Sequence, residues 1–249
     1  MTPARRRLLT LAASAALAAS LAMPSTALAQ RVTGSGQMAS ETRAVSGFEA
    51  VALEASFTVR VRQSGREGLT LSADDNLLPL IETVVERRSG RPTLVLRWKR
   101  GTSIGRSGDI VATVDAAMVK ALSTSGSGSI EGAEIQGERL DLAVAGSGDL
   151  RVERAAVSEL QASIAGSGDI VATGSAATLK VSIAGSGDVD TRGVEAEEVK
   201  VSIAGSGDAQ VTAHSALSVS IAGSGDVRYG GRVTAVKTSI VGSGDVRRR

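Results

Sequence analysis

The sequence predicts an all-β chain wound as a parallel β-helix, a β-solenoid with coils of about 19–20 residues. Three observations carry this. A Gly-rich corner recurs at a near-constant period, alternating apolar strands flank it, and the residues that competing architectures need are missing. The tetrapeptide Gly-Ser-Gly-Asp occurs at 146–149, 166–169, 185–188, 205–208, 223–226 and 242–245, with variants at Arg106–Asp109 and Gly126–Ser129. The fourth residues fall at 109, 129, 149, 169, 188, 208, 226 and 245, with spacings of 20, 20, 20, 19, 20, 18 and 19. A fixed period in this range belongs to stacked repeats.

The flanks identify the unit. Leu179, Val181 and Ile183 alternate with Lys180, Ser182 and Ala184, and the pattern returns at Leu160–Ile164, Val199–Ile203 and Leu217–Ile221. Period-two alternation rich in β-branched residues is a half-buried strand. An apolar residue follows most corners (Leu150, Ile170, Val189, Val227, Val246) and opens a second strand. Twenty residues are too few for a helix pair or a four-stranded propeller blade, which leaves one coil per period, paired in parallel with the next. Coils about 4.8 Å apart would make eight of them a rod roughly 38 Å long. One coil cannot bury its own interior, so the array is needed for stability.

Composition agrees. The chain has 249 residues, 42% apolar but only 2% aromatic, 29 Gly and no Cys. Four aromatics cannot build the girdles of a membrane barrel, and without cysteine there is no disulfide framework, zinc finger or thiol chemistry. Residues 1–29 read as a signal peptide of the Sec type: Arg5–Arg7, an apolar run from Leu8 to Met23, and Ala27-Leu28-Ala29 for cleavage. The apolar run is too short for a membrane span, no cysteine offers a lipid attachment, and the mature chain is expected to begin at Gln30 without a transmembrane segment. Without the three leader arginines the balance is 25 basic to 26 acidic residues, so no basic field for nucleic acid exists. The Arg247–Arg249 tail reads as a solvated terminus that also blunts the last strand edge by charge.

Residues 30–44 read as a linker, 45–105 as an N-terminal β region capping the solenoid, and 106–249 as the repeats. Strand-like runs cover Phe48–Leu53, Phe57–Arg62, Leu69–Ser72, Thr83–Arg87 and Thr93–Lys99, with turns at Asp74–Asn76 and Ser89–Pro92. With Gly47-Phe48, Ala73-Asp-Asp-Asn-Leu77 and the Gly-Ser-Gly corners, the chain over about 45–246 resembles the head GIN domain family, labelled "putative auto-transporter adhesin". That resemblance implies a right-handed parallel β-helix in an exported bacterial protein. The sequence departs from a true autotransporter in having no C-terminal barrel segment.

Candidate sites reduce to the corners and one histidine. Gly supplies backbone angles closed to other residues and Asp accepts turn hydrogen bonds, so the corners read as scaffold. A column of stacked carboxylates could instead hold calcium, but this is not the nine-residue calcium repeat and Ser129 interrupts it. A phosphate loop needs Gly-Lys-Ser/Thr before a helix, and here an acid and a strand follow. His214, the only histidine, reads as a surface residue with no Gly-x-Ser-x-Gly elbow to serve. No catalytic, cofactor or metal residue is assigned, and no cofactor is expected. The functional expectation is an exported, non-enzymatic scaffold, periplasmic, outer-surface or secreted. Its flat Ser/Thr/Lys/Asp faces would bind an envelope, protein or polysaccharide partner. The alternatives are a carbohydrate-active β-helix enzyme (a polysaccharide lyase or hydrolase), which an exposed acidic cleft outside the repeat register would favour, and a calcium-stabilised scaffold.

Overall fold

The computed structural model describes residues 31–249, and the expected signal peptide lies outside the described residues. Eighteen strands follow in order. The N-terminal ones are β1 (Arg31–Val32), β2 (Met38–Arg43), β3 (Ala50–Glu54), β4 (Thr58–Gln63), β5 (Gly68–Asp74), β6 (Ile81–Arg88), β7 (Arg91–Trp98), β8 (Ser103–Ile104), β9 (Val111–Ala116) and β10 (Ala121–Gly126). Five long bent strands then each make most of a coil: β11 (Ser129–Gly146), β12 (Asp149–Gly166), β13 (Ile170–Gly185), β14 (Val189–Gly205) and β15 (Ala209–Gly223). The last coil is β16 (Val227–Gly230) and β17 (Ala235–Gly242), followed by β18 (Val246–Arg248). The only helical turn among the described residues is a 3₁₀ turn at Leu78–Leu80.

β10 to β18 stack in parallel, giving a β-solenoid of about 6 turns. Identical positions lie in file. Leu140, Leu160, Leu179, Val199 and Leu217 form one interior column, and Val144, Ile164, Ile183, Ile203 and Ile221 another. All are buried, each β-branched or leucine side chain filling the layer between its neighbours above and below. The spacing differences also find their place. Register shifts fall in the stretch between the run that follows one corner and the run that precedes the next, between Val152 and Ala155, Val171 and Thr173, and Thr191 and Glu198. Coils of 18 to 20 residues therefore keep both corner-flanking runs in register.

The corner explains its own sequence. A Cβ on Gly166, Gly185, Gly205 or Gly223 would stand 2.0–2.2 Å from the carbonyl oxygen of the equivalent glycine one coil below, and these residues have φ of +137° to +142°. The second glycines are equally confined: a Cβ on Gly187 would lie 2.1 Å from Gly168 O. The serine amides between them donate to the glycine below, Ser186 N to Gly166 O at 2.9 Å and Ser206 N to Gly185 O at 2.9 Å. The Asp side chain closes the ladder. Asp188 N–H donates to Asp169 Oδ1 at 3.0 Å, Asp208 N–H to Asp188 Oδ1 at 2.8 Å, and Asp226 N–H to Asp208 Oδ1 at 2.8 Å. Where Ser129 replaces the acid, Asp149 N–H reaches Gly128 O at 3.2 Å instead. Each carboxylate thus serves the coil above it, where the sequence suggested only its own turn. Asp188→Ala is expected to destabilise by about 1–2 kcal/mol, because it strands the Asp208 amide, and Asp188→Asn by less than about 0.5 kcal/mol, since an amide oxygen still accepts. Urea unfolding midpoints of the two variants check this.

The first corner variant does not join the file. Arg106–Asp109 was expected as the lowest layer, giving eight coils, but β4 lies between β9 and β11, and Ala55-Ser56-Phe57 occupies the layer beneath Gly126–Gly128. The reason is connectivity: β3 and β4 already pair beneath β10 and β11, so the three-residue link between them takes the layer under Gly126–Gly128 and leaves no place there for Arg106–Asp109. The Ser107-Gly108 segment instead meets Asp74, whose buried carboxylate accepts from Gly108 N–H at 3.0 Å and Gly36 N–H at 3.1 Å. Asn76 ties the chain just before Gly36 by donating to Thr33 O at 2.9 Å.

The expected linker is also structured in part. β2 pairs antiparallel with β5, and β1 pairs with β8. The polar alternation of Met38–Arg43 suits an edge strand with one solvated face. β6 and β7 form an antiparallel hairpin whose β7 edge pairs with β3, so the N-terminal strands cover the first coil. Phe57 and Trp98 meet edge-to-face there, centroids 5.7 Å apart. These aromatics belong to the core and not to a sugar platform.

Candidate binding face

The runs that precede each corner turn alternate residues outward on one flat side. Three outward columns result. Asp141, Gln161, Lys180, Lys200, Ser218 and Lys237 form the first. Ala143, Ser163, Ser182, Ser202, Ser220 and Ser239 form the second, and Ala145, Ala165, Ala184, Ala204, Ala222 and Val241 the third. Neighbours along a column stand about 4.8 Å apart and columns about 6.6 Å apart, a regular lattice of hydroxyls beside ammonium groups. A shallow depression of about 300 Å³ lies among Gln161, Lys180, Ser182, Lys200, Ser202 and Ser218. With short side chains and no aromatic in these columns, the face can offer hydrogen bonds and positive charge to something long and flat.

A larger recess of about 900 Å³ opens beside it, between Met118, Lys120, Gln136–Arg139, Glu159 and Thr178. Its charged groups other than the exposed Glu138 are tied. Glu159 accepts from Lys180 Nζ at 2.5 Å and Arg139 Nη1 at 3.0 Å, and these cations hold its carboxyl below the usual carboxylate range. Arg139 also meets Asp141 at 2.7 Å, Asp141 meets Arg91 at 2.6 Å, and Lys120 meets Glu49 at 2.8 Å. A carboxyl so paired stays ionised near neutrality and is a poor proton donor. His214 hydrogen-bonds Glu195, and among the described residues no serine hydroxyl joins it. Among the described residues no group of three His, Cys, Asp or Glu side chains converges as a metal site, the Asp column included.

A family model described as "Putative auto-transporter adhesin, head GIN domain" matches residues 47–233. The chain belongs to this family. A putative adhesin from Bacteroides fragilis has the same fold at a TM-score of 0.81 and 20% identity, covering 88% of this chain and 100% of its own. One from Parabacteroides merdae aligns at 0.70 and 24%, covering 88% and 99%. A protein from Parabacteroides distasonis described as a putative lipid binding protein aligns at 0.70 and 24%, covering 88% and 100%. No curated protein matches the chain. The family membership agrees with an adhesin-like scaffold. No helix among the described residues is long and apolar enough to cross a membrane.

Sequence reasoning found the columns of this head GIN domain protein but not the ion-paired recess. Its lining comes from the stretches between corners; no spacing rule links Lys120 with Glu49, whereas Arg139 and Glu159 stand one 20-residue period apart and that spacing is the signal that could have found them.

Proposed function

We propose that the protein is an exported, non-enzymatic adhesin-like scaffold that holds an extended partner at the cell envelope against its Ser/Lys side. One observation carries this reading: the outward Ser and Lys positions stay in unbroken register from β12 to β17, although coil length varies elsewhere. Because the changes in coil length fall outside these runs, this face stays flat, as a repetitive binding surface requires. The main alternative, a glycan-cleaving enzyme, would draw on the recess, where Glu159 is paired to two cations and Glu138 is the other carboxylate.

Immobilised envelope polymers and host glycans, watched for both retention and cleavage, test the proposal. Retention of intact polymer is expected, together with at least a tenfold weakening in Ser182→Glu/Ser202→Glu, whose exposed positions tolerate the change in fold. Cleavage of any polymer, or retention that ignores the double substitution, would overturn it.

A further inference from the structure

The last coil differs from the rest in charge and in cover. Residues 227–249 carry six Lys/Arg side chains and one Asp, a net of +5, whereas residues 31–226 carry 19 basic and 25 acidic residues, a net of −6. Of the six, only Arg247 has a carboxylate partner within salt-bridge distance among the described residues, Asp245 at 2.6 Å. Arg248 and Arg249 fold back, donating to Gly231 O at 2.9 Å and Thr212 Oγ1 at 3.0 Å, so their charge sits on the end of the rod.

The interior columns also run out here. Val236 and Ile240 continue the Leu217 and Ile221 files with no described strand over them, and are 44% and 40% exposed. Val241 beside them is 73% exposed. Three of the five exposed large apolar side chains among the described residues therefore share one strand with Lys237.

We propose that this end of the solenoid docks on an anionic lipid surface. Charge complementarity selects the occupant. A second copy meeting end to end would set +5 against +5 and be repelled. A soluble polyanion would answer the cations but leave Val236, Ile240 and Val241 in water. A bilayer interface takes both: the aliphatic groups enter the boundary of headgroup and acyl chain while Arg228, Arg232, Lys237 and Arg247 remain at the phosphates. The insertion is shallow, since the free edge of β17 keeps its peptide groups within reach of water and headgroups. The rod then stands off the membrane with the Ser/Lys side of β12 to β15 clear; of that side only Lys237 and Val241, in the last coil, are shared with this end.

Vesicle flotation of the full chain tests it, using phosphatidylcholine alone and phosphatidylcholine with a third phosphatidylglycerol. Binding to the anionic vesicles only is expected, and it should fall with salt. Arg232→Glu/Lys237→Glu/Arg247→Glu should weaken it on the order of a hundredfold, at about 1 kcal/mol for each basic residue at the surface. Val241→Ser, at a position too exposed to affect folding, should weaken it several-fold, and Lys180→Glu/Lys200→Glu on the side face should not. Four outcomes would overturn the proposal. They are equal binding to neutral vesicles, binding by the triple variant as by the wild type (the mark of the apolar leader), soluble polyphosphate bound as tightly as the vesicles with no effect of Val241→Ser, and a dimer through this end that ignores lipid.

Discussion

Gly185→Ala is expected to destabilise the protein by about 2–5 kcal/mol. The new Cβ would meet Gly166 O at 2.2 Å, with the Gly166 C and N atoms at 3.0 and 3.1 Å. None of these can step aside, because Gly166 O already accepts from Ser186 N–H at 2.9 Å and Gly187 N–H at 3.2 Å. Relief requires lifting one coil from the next, which breaks the corner ladder and opens the Ile164–Ile183 layer beside it. To this is added the strain of a side chain at φ +137°, in a region L residues rarely adopt. Gly137→Ala is the control: nothing lies within 4 Å of its Cβ and its φ is ordinary, so the change should fall within about 0.5 kcal/mol of neutral. Urea unfolding of both variants decides the matter. A Gly185→Ala protein as stable as the wild type would mean that the coils do not touch at their corners.

The same steric demand makes the corners legible in the sequence. Gly-Ser-Gly-Asp betrays itself because a layer without room for Cβ admits only glycine, and the Leu/Val/Ile alternation betrays the columns because each layer repeats one interior. The bottom layer was hidden for a different reason. Ala55-Ser56-Phe57 takes its layer because β3 and β4 on either side pair with β10 and β11, a tertiary placement that leaves no repeat in its spelling, while Arg106-Ser-Gly-Asp109 resembles a corner in spelling alone. The segment 38–43 was misjudged because its pairing with β5 is set by tertiary position, which a polar, weakly apolar run does not encode. At the binding face the columns were readable but the partner was not. Serine, alanine and lysine confer hydrogen bonds and charge without the single geometry that a metal ligand set or a nucleophile with its base would impose.

Removal of one whole coil is expected to leave a folded protein. Deleting residues 170–188 joins Asp169 to Val189, and β14 then stacks on β12. The coils ending at Asp169 and Asp208 are each 20 residues after the preceding marker, while the deleted one is 19, so the register shifts on either side of β13 disappear together. Leu160 meets Val199, Ile164 meets Ile203, and Gly166 meets Gly205, each an apolar or glycine pair of the kind already stacked. Lys200 takes the place of Lys180 beside Glu159. The protein loses one intercoil layer of a nearest-neighbour array, so cooperative unfolding should persist with a lower midpoint and a smaller denaturant slope. Deleting only residues 170–179 should instead abolish folding. Lys180 would fall at the interior position of Ile170, Val181 and Ile183 would turn outward, and a buried lysine with no partner costs more than the remaining contacts of the coil supply. Far-ultraviolet circular dichroism and urea titration of the two deletions separate these outcomes. Equal collapse of both would show that coil identity, and not stacking of equivalent layers, determines this fold.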